Sequence, residues 1–172
     1  FETTRLRDSL ILVFEQHYPD YYALKYNTKV VGLNEMSEIA GRNRNYLNYI
    51  VSDTLIYIFI ANRKHQQLIA LKVDSGFFDN IRQFRSLLSM PKSSENARLD
   101  FENYKISGYR IYMTLIDPIR KYLISDKLLI SPDNILSYLP FETLPTNPTS
   151  GERMLYRDIA YLMNDFDISY TY

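Results

Sequence analysis

The chain contains no cysteine, which excludes disulfides, thiolate metal ligands and a cysteine nucleophile within its 172 residues. It has only two histidines, His17 and His65, and neither has a second ligand at a metal-binding spacing. Basic and acidic residues balance at 20 each, so the charge pattern does not favour nucleic acid or an anionic membrane. We therefore expect no cofactor, no metal site, no nucleic-acid partner and no membrane partner.

Glycine and long apolar runs are also scarce. The five glycines form no phosphate-binding loop, since Gly76 and Gly151 stand alone in the sequence. No apolar run approaches the roughly 20 residues that cross a bilayer. The absence of cysteine is typical of a reducing compartment, which predicts a cytoplasmic location. In contrast, 16 Tyr and 9 Phe supply ample apolar surface, which we interpret as core and subunit contact in a globular domain.

Residues 46–73 have the pattern of three antiparallel strands. Apolar and aromatic residues fill 46–51, 55–61 and 68–73, and two polar segments separate them. These segments, 52–54 and 62–65, have the chemistry of turns, so a meander is the simplest arrangement. The central segment is apolar at every position, which predicts that helices cover both faces of the sheet.

Apolar residues recur at steps of three and four in three further segments, which predicts amphipathic helices. The first covers residues 6–26 and is interrupted near Pro19. The second begins at a cap formed by Asp74 or Ser75, and the third runs over residues 97–117. The predicted apolar faces are Phe78, Ile81, Phe84 and Leu88 in the second helix, and Phe101, Tyr104, Gly108, Ile111 and Leu115 in the third.

Shorter segments complete the prediction. Residues 30–33 are extended, residues 34–39 form a brief helix, and Pro118 opens a helical turn capped by Asp117. Residues 127–131 have the apolar character of a buried parallel strand. A short helix over 155–163 and a strand over 167–171 follow.

Few residues suggest chemistry by position. Asp133 follows the strand at 127–131, where α/β folds place ligand groups, although a side-chain turn after Pro132 is the simpler interpretation. The acid pairs Glu35/Glu38 and Asp165/Asp167 could form acid–base pairs, but solvated surface explains them better.

One segment is more specific. Residues 127–144 read KLLISPDNILSYLPFETL, and this resembles the signature of the CHAT domain, a caspase-like cysteine peptidase domain often found behind tetratricopeptide repeats. In that family a strand ends in Pro-Asp-Gly and leads to a Leu-Pro-Phe-Glu segment. Residues 112–119 and 161–170 are similar to the helix before and the helix end and strand after the signature. Asn134 stands where the family usually has Gly, and Asn is the other residue that tolerates a left-handed backbone.

The resemblance implies an α/β fold: an incomplete caspase-like sandwich with an N-terminal antiparallel meander and helices packed on the sheet. Residues 1–29 would be the tail of a preceding helical-repeat region, and residues 30–172 the N-terminal half of a CHAT-like domain. The catalytic His and Cys of the family would lie downstream, so no catalytic residue can be assigned in this chain. The implied candidates for the substrate cleft are Asp133, Asn134, Tyr138 and Glu142, and the implied structural motif is Pro132, Leu139, Pro140 and Phe141.

Two functions follow as expectations. The first is structural support for the cleft of a cysteine peptidase, with the downstream catalytic half, the upstream repeats and a protein substrate or regulator as partners. The alternative is a stand-alone interaction or scaffold module, with a homodimer formed through an exposed sheet edge near residues 167–172. A small enzyme that acts through carboxylates is the third possibility and has no support from spacing.

Overall fold

A computed structural model of the chain describes residues 43–89, 96–148 and 155–171, together with Val13, His17 and Gly41. The chain forms two compact units, Phe1–Gly32 and Leu33–Tyr172. In the first unit, Val13 and His17 are helical and exposed. The remaining predictions for residues 6–39 lie outside the described residues.

The second unit is built on a five-stranded mixed sheet. Its strands are β1 (Asn45–Val51), β2 (Leu55–Ala61), β3 (Gln66–Lys72), β4 (Lys127–Ser131) and β5 (Asp167–Tyr170), in the order β3-β2-β1-β4-β5. The first three strands pair antiparallel, which confirms the predicted meander. β4 runs parallel to both β1 and β5, which confirms the predicted parallel strand. The predicted α/β fold is therefore confirmed.

Two long helices cover one face of this sheet. They are α1 (Ser75–Ser89) and α2 (Ala97–Leu115), and both contribute to a single core with the sheet. Side chains alternate along a strand, so Ile56, Ile58 and Ile60 all point into that core. The opposite face leaves Leu68 63% and Ile50 55% exposed. The prediction of helices is therefore confirmed for one face, and for the opposite face, which also holds the buried Tyr46 and Ala61, it stays a prediction.

Helix α1 begins where a side chain replaces the missing helical hydrogen bond. The amide N–H of Phe77 donates to Oδ1 of Asp74 at 3.0 Å, so Asp74 is the cap. Ile81 and Phe84 are buried as predicted, whereas Leu88 is 40% exposed. Leu87, the preceding residue of the helix, packs against the core instead of Leu88.

Helix α2 is buried along the predicted stripe from Phe101 to Leu115. Its glycine allows a close approach: a Cβ at Gly108 would lie 2.5 Å from Cε2 of Phe84 and 2.5 Å from Cδ of Pro145. The helix therefore packs against α1 and the loop after β4 at a distance that no larger residue permits.

Two predicted helical segments differ in the structure. Pro118 lies in a 3₁₀ turn, Asp117–Tyr122, that has Ile116 at its cap position and no side-chain cap bond, so Asp117 is not the cap. Residues 155–163 form no single helix but a 3₁₀ turn, Tyr156–Asp158, and a short helix α3, Leu162–Asp165. A side-chain cap explains why a separate helix begins at Leu162. Oδ1 of Asn164 accepts from the N–H of Tyr161 at 2.8 Å and so caps the start of α3.

Candidate functional site

The parallel strands β1, β4 and β5 end at the same edge of the sheet, and the signature segment begins there. β4 ends at Ser131, and two 3₁₀ turns, Asn134–Tyr138 and Phe141–Thr143, follow it. In sheets with parallel strands, ligand groups gather outside the carboxyl ends of the strands. This edge is therefore where a site of the second unit is expected.

Asp133 joins two of these strand ends. Its Oδ2 accepts a hydrogen bond from the N–H of Val51, the last residue of β1, at 2.9 Å. Asn134 follows with a φ of 54°, the left-handed conformation that the sequence predicts for this position. The turn after β4 is thus fixed to β1 by a carboxylate and formed by a residue that tolerates its backbone.

A small cavity of about 170 Å³ lies beside this turn. Its lining includes Asn134 and the β1–β2 turn, with α1 on the opposite side. The residues are Val51, Ser52, Asp53, Phe78, Arg82, Asn134 and Ile135. The cavity combines apolar walls with one acid, one base and two small polar side chains, a lining that can hold a peptide side chain.

Tyr138 projects from the end of the first 3₁₀ turn and is 66% exposed. The guanidinium of Arg85 on α1 lies 4.8 Å from the centre of its ring. This cation–π contact orients an aromatic side chain at the surface, where it is available to a partner.

The Leu-Pro-Phe-Glu segment is held on the core instead. Leu139 and Phe141 are buried, and the Phe141 ring lies 5.5 Å from the ring of Tyr49 on β1. The backbone N–H of Phe141 donates to Oη of Tyr170 on β5 at 3.1 Å, and that hydroxyl donates to the carboxylate of Glu142. The segment is therefore locked to β5 by one tyrosine hydroxyl, which fixes the orientation of Glu142.

Tyr49 is the most deeply buried polar group near this segment. Its hydroxyl donates to the carbonyl oxygen of Leu115 at 3.2 Å. Burial raises the pKa of the Tyr49 hydroxyl, and the adjacent Tyr170 raises it further. Tyr49 therefore stays protonated and acts as a structural anchor between β1 and the end of α2.

Glu142 also lines a larger cavity of about 510 Å³, which borders the start of β5. Its other lining residues are Asp126, Met163, Asn164, Asp165, Phe166, Asp167 and Ile168. Asp165 forms an ion pair with Arg120, with 2.6 Å between Oδ2 and Nη2. The acids Asp165 and Asp167 thus share one cavity, and one of the two is already paired with a base.

The four candidates for the substrate cleft therefore divide into two groups. Asp133, Asn134 and Tyr138 belong to the first turn after β4, and Asn134 lines the smaller cavity. Glu142 lines the larger one beside β5. Pro132 and Pro140 precede the two 3₁₀ turns, and the carbonyl oxygen of Pro140 accepts from Oγ1 of Thr143 at 2.9 Å.

Neither histidine belongs to the signature segment. His65 lies in the β2–β3 turn with its ring 5.9 Å from Tyr122, far along the chain from the signature, and His17 belongs to the first unit. Glu35 and Glu38 lie outside the described residues. In the part of the chain that the structure describes, no group of three or more His, Asp or Glu side chains could hold a metal ion.

Two residues that carry the site were not singled out for it by sequence. Tyr170 and Tyr49 have no motif of their own, and only their place in β5 and β1 brings them to the signature segment. The sequence signal that could have identified them is the alternation of apolar residues in the two strands, which predicts that the side chains of Tyr49 and Tyr170 face the core.

Comparison of the chain with protein-family models, curated proteins and solved structures returned no match. No described helix has the length and apolar character that crossing a membrane requires. The described residues offer an ordered strand end, two separate cavities and an open sheet edge, and the sequence contains no thiol.

Proposed function

We propose that this chain is the non-catalytic N-terminal half of a CHAT-like cysteine peptidase domain. In this role it supports the substrate cleft and binds the catalytic half. The observation that carries the proposal is the course of the signature segment: a parallel strand, a turn with a left-handed Asn134, and a buried Leu-Pro-Phe-Glu loop. The order of these features matches what the resemblance implies for the family.

The position of β5 also supports this role. β5 pairs with β4 on one side, and it is the last strand of the sheet among the described residues. A catalytic half can extend the sheet from that strand, since an edge strand presents backbone groups for pairing. The His and Cys would then be supplied across the junction, where the thiolate attacks the scissile carbonyl and the His moves the proton.

Within such a domain the described residues have separate tasks. Asp133 and Asn134 fix the turn, and Phe141 with Leu139 anchors the loop to the core. Tyr138 is the exposed member of the group and the one we propose to contact a protein substrate. Upstream helical repeats and a cytoplasmic location belong to the same proposal.

The test begins with the reading frame of the parent protein after Tyr172. A Gly-His followed by an Ala-Cys or Gly-Cys, within about 150 residues, would complete a domain. That segment, produced together with residues 1–172, should react with a thiol-directed peptide probe. The segment alone should react far less. Equal reaction with and without residues 1–172 would refute the supporting role.

A surface variant distinguishes an effect on substrate binding in the cleft from an effect on folding. Tyr138→Ala removes an exposed ring, so the melting temperature should hold while KM of the reconstituted peptidase rises about two- to tenfold, the loss of one aromatic contact. Arg82→Ala, on the wall of the smaller cavity, tests whether that cavity also receives substrate. An unchanged KM in both variants would show that this edge of the sheet is not part of the substrate cleft.

The second candidate function is a binding or scaffold module without peptidase activity. The exposed apolar residues Leu68 and Ile50 and the open β5 edge favour it. It predicts association of the 172-residue chain alone, including a homodimer through the sheet edge. Sedimentation that shows a monomer at high concentration would count against the homodimer.

A further inference from the structure

The open edge of β5 has a defined set of backbone groups. The amides of Asp167 and Thr171 donate to carbonyl oxygens of Asp126 and Ile130, so alternate residues of β5 point toward β4. The N–H and C=O of Ile168 therefore point away from β4, toward the edge. Within the described residues, no strand pairs with them. This edge can accept a further strand.

The cavity beside this edge gives that strand a chemical character. Asp126, Asp167 and Glu142 all line this cavity; Asp126 and Asp167 meet at the beginning of β5, and Glu142 accepts from the hydroxyl of Tyr170. Apolar side chains of Met163, Phe166 and Ile168 lie among the other lining residues. The groove thus combines acidic and apolar side chains.

The charge of the groove is only partly compensated. Arg120 neutralises Asp165, and the hydroxyl of Tyr170 donates to Glu142 without adding a positive charge. In the described part of the chain, neither Asp126 nor Asp167 belongs to an ion pair. Lys127 is the cross-strand neighbour of Asp167 but forms no ion pair with it, so a partner that places cations here still gains electrostatic energy.

We propose that the β5 edge binds an extended polypeptide segment rich in Lys or Arg as a sixth strand. Its backbone pairs with Ile168, and its basic side chains lie near Asp126 and Asp167. This goes beyond the proposed function, since it specifies the chemistry of the bound strand and holds with or without a peptidase half.

A second copy of the chain fits this edge poorly. If two β5 strands paired side by side, the acidic groove of one copy would lie beside the acidic groove of the other. Like charges across paired strands are destabilising. The charge pattern therefore favours a basic partner over self-pairing.

The experiment measures binding of a fluorescein-labelled peptide of alternating Lys and Val to the 172-residue chain by anisotropy. The control peptide replaces every Lys by Glu. The Lys peptide should bind and the Glu peptide should not, and added salt should weaken binding because it screens exposed charges. Asp126→Asn and Asp167→Asn should each weaken binding about two- to fivefold. Asp79→Asn removes an acid that is 71% exposed on α1 and should leave the affinity unchanged.

A matched pair of variants tests strand pairing itself. Ile168→Pro removes the outward N–H and no hydrogen bond to β4, a position where an edge strand tolerates proline. Ile168→Ala loses comparable packing but keeps the N–H. The Ile168→Pro variant should lose binding and the Ile168→Ala variant should keep most of it. Circular dichroism verifies that both fold. If the Ile168→Pro chain does not fold, a Lys peptide methylated at alternate backbone nitrogens replaces that variant and should not bind.

Three results would overturn the proposal. The first is equal binding of the Lys and Glu peptides. The second is binding that Asp126→Asn and Asp167→Asn leave unchanged, and the third is self-association through β5 that the Lys peptide cannot displace. If the peptide binds but no His and Cys follow in the parent protein, the proposed function fails and this inference stands.

Discussion

A buried pair of asparagines leads to the sharpest prediction about stability. Asn45 begins β1 and is fully buried. Its Nδ2 donates to the carbonyl oxygens of Ser125 at 3.0 Å and Lys127 at 3.1 Å. Its Oδ1 accepts from the backbone N–H of Ile124 at 2.9 Å and from Nδ2 of Asn62 at 3.1 Å. One side chain thus joins the start of β1 to the segment that leads into β4.

Asn62 extends the same network into the β2–β3 turn. Its Oδ1 accepts from the N–H groups of Lys64 at 3.0 Å and His65 at 2.9 Å. Its Nδ2 also donates to the carbonyl oxygen of Tyr122 at 2.9 Å. The two amides together hold three segments that are distant in sequence.

Replacing Asn45 by Leu keeps the branched shape of the side chain and leaves the backbone N–H of Ile124 and one side-chain N–H of Asn62 without an acceptor. Each buried unsatisfied group costs about 1–3 kcal/mol, so the two donors together predict a loss of about 2–6 kcal/mol. A domain of this size has about 5–15 kcal/mol in total, so the loss is a large share. Leu is preferred to Ala because it leaves no room for a water to restore the bonds.

Urea unfolding followed by circular dichroism measures this loss, with an unchanged m-value as the sign of a purely energetic effect. Asn48→Leu is the matched control on the same strand. Asn48 is half-buried, and among the described residues its amide donates only to Oη of Tyr46, at 3.4 Å. Its replacement should cost less than about 1 kcal/mol. If Asn45→Leu costs no more than Asn48→Leu, the network does not stabilise the fold in this way.

Three further predictions concern the core. Gly108→Ala places a methyl group against Phe84 and the ring of Pro145, so it should destabilise by about 1–3 kcal/mol in urea, and an unchanged midpoint would contradict the close packing. Phe141→Ala should cost about 3–5 kcal/mol because the ring is fully buried, and an unaltered melting temperature would show that the loop is not anchored there. Burial raises the pKa of Tyr49, so above about pH 10 its hydroxyl ionises in the unfolded chain before it ionises in the folded one. The stability that Tyr49 contributes is therefore present below about pH 10 and falls by about 1.4 kcal/mol per pH unit above it. Above about pH 10 the free energy of unfolding should therefore fall less steeply with pH in Tyr49→Phe than in the unmodified chain. Equal slopes would contradict this.

The periodicity of the sequence identified most secondary structure of the second unit. The meander, α1, α2, β4 and β5 all follow from local patterns, because each buries one face or one stripe against a single core. The left-handed Asn134 was also predictable, since few residues adopt that conformation. Errors occurred where a side-chain cap outweighs the apolar pattern, as Asn164 does at the start of α3.

The candidate site was predictable only in part. The sequence located Asp133 and the Leu-Pro-Phe-Glu segment, but it carried no sign that Tyr170 would hold that segment or that β5 would border an acidic groove. Those features depend on which strands are neighbours, and strand order is not written in any local pattern.

The sequence by itself determined the elements, the lack of a thiol and the turn after β4. Only the tertiary structure decided that Asn45 would bond to residues about 80 positions away and that Gly108 would lie against Pro145. The physical reason is the range of the forces involved. Helix and strand periodicity arises from neighbours along the chain, whereas hydrogen bonds and packing across the core arise only after distant segments meet.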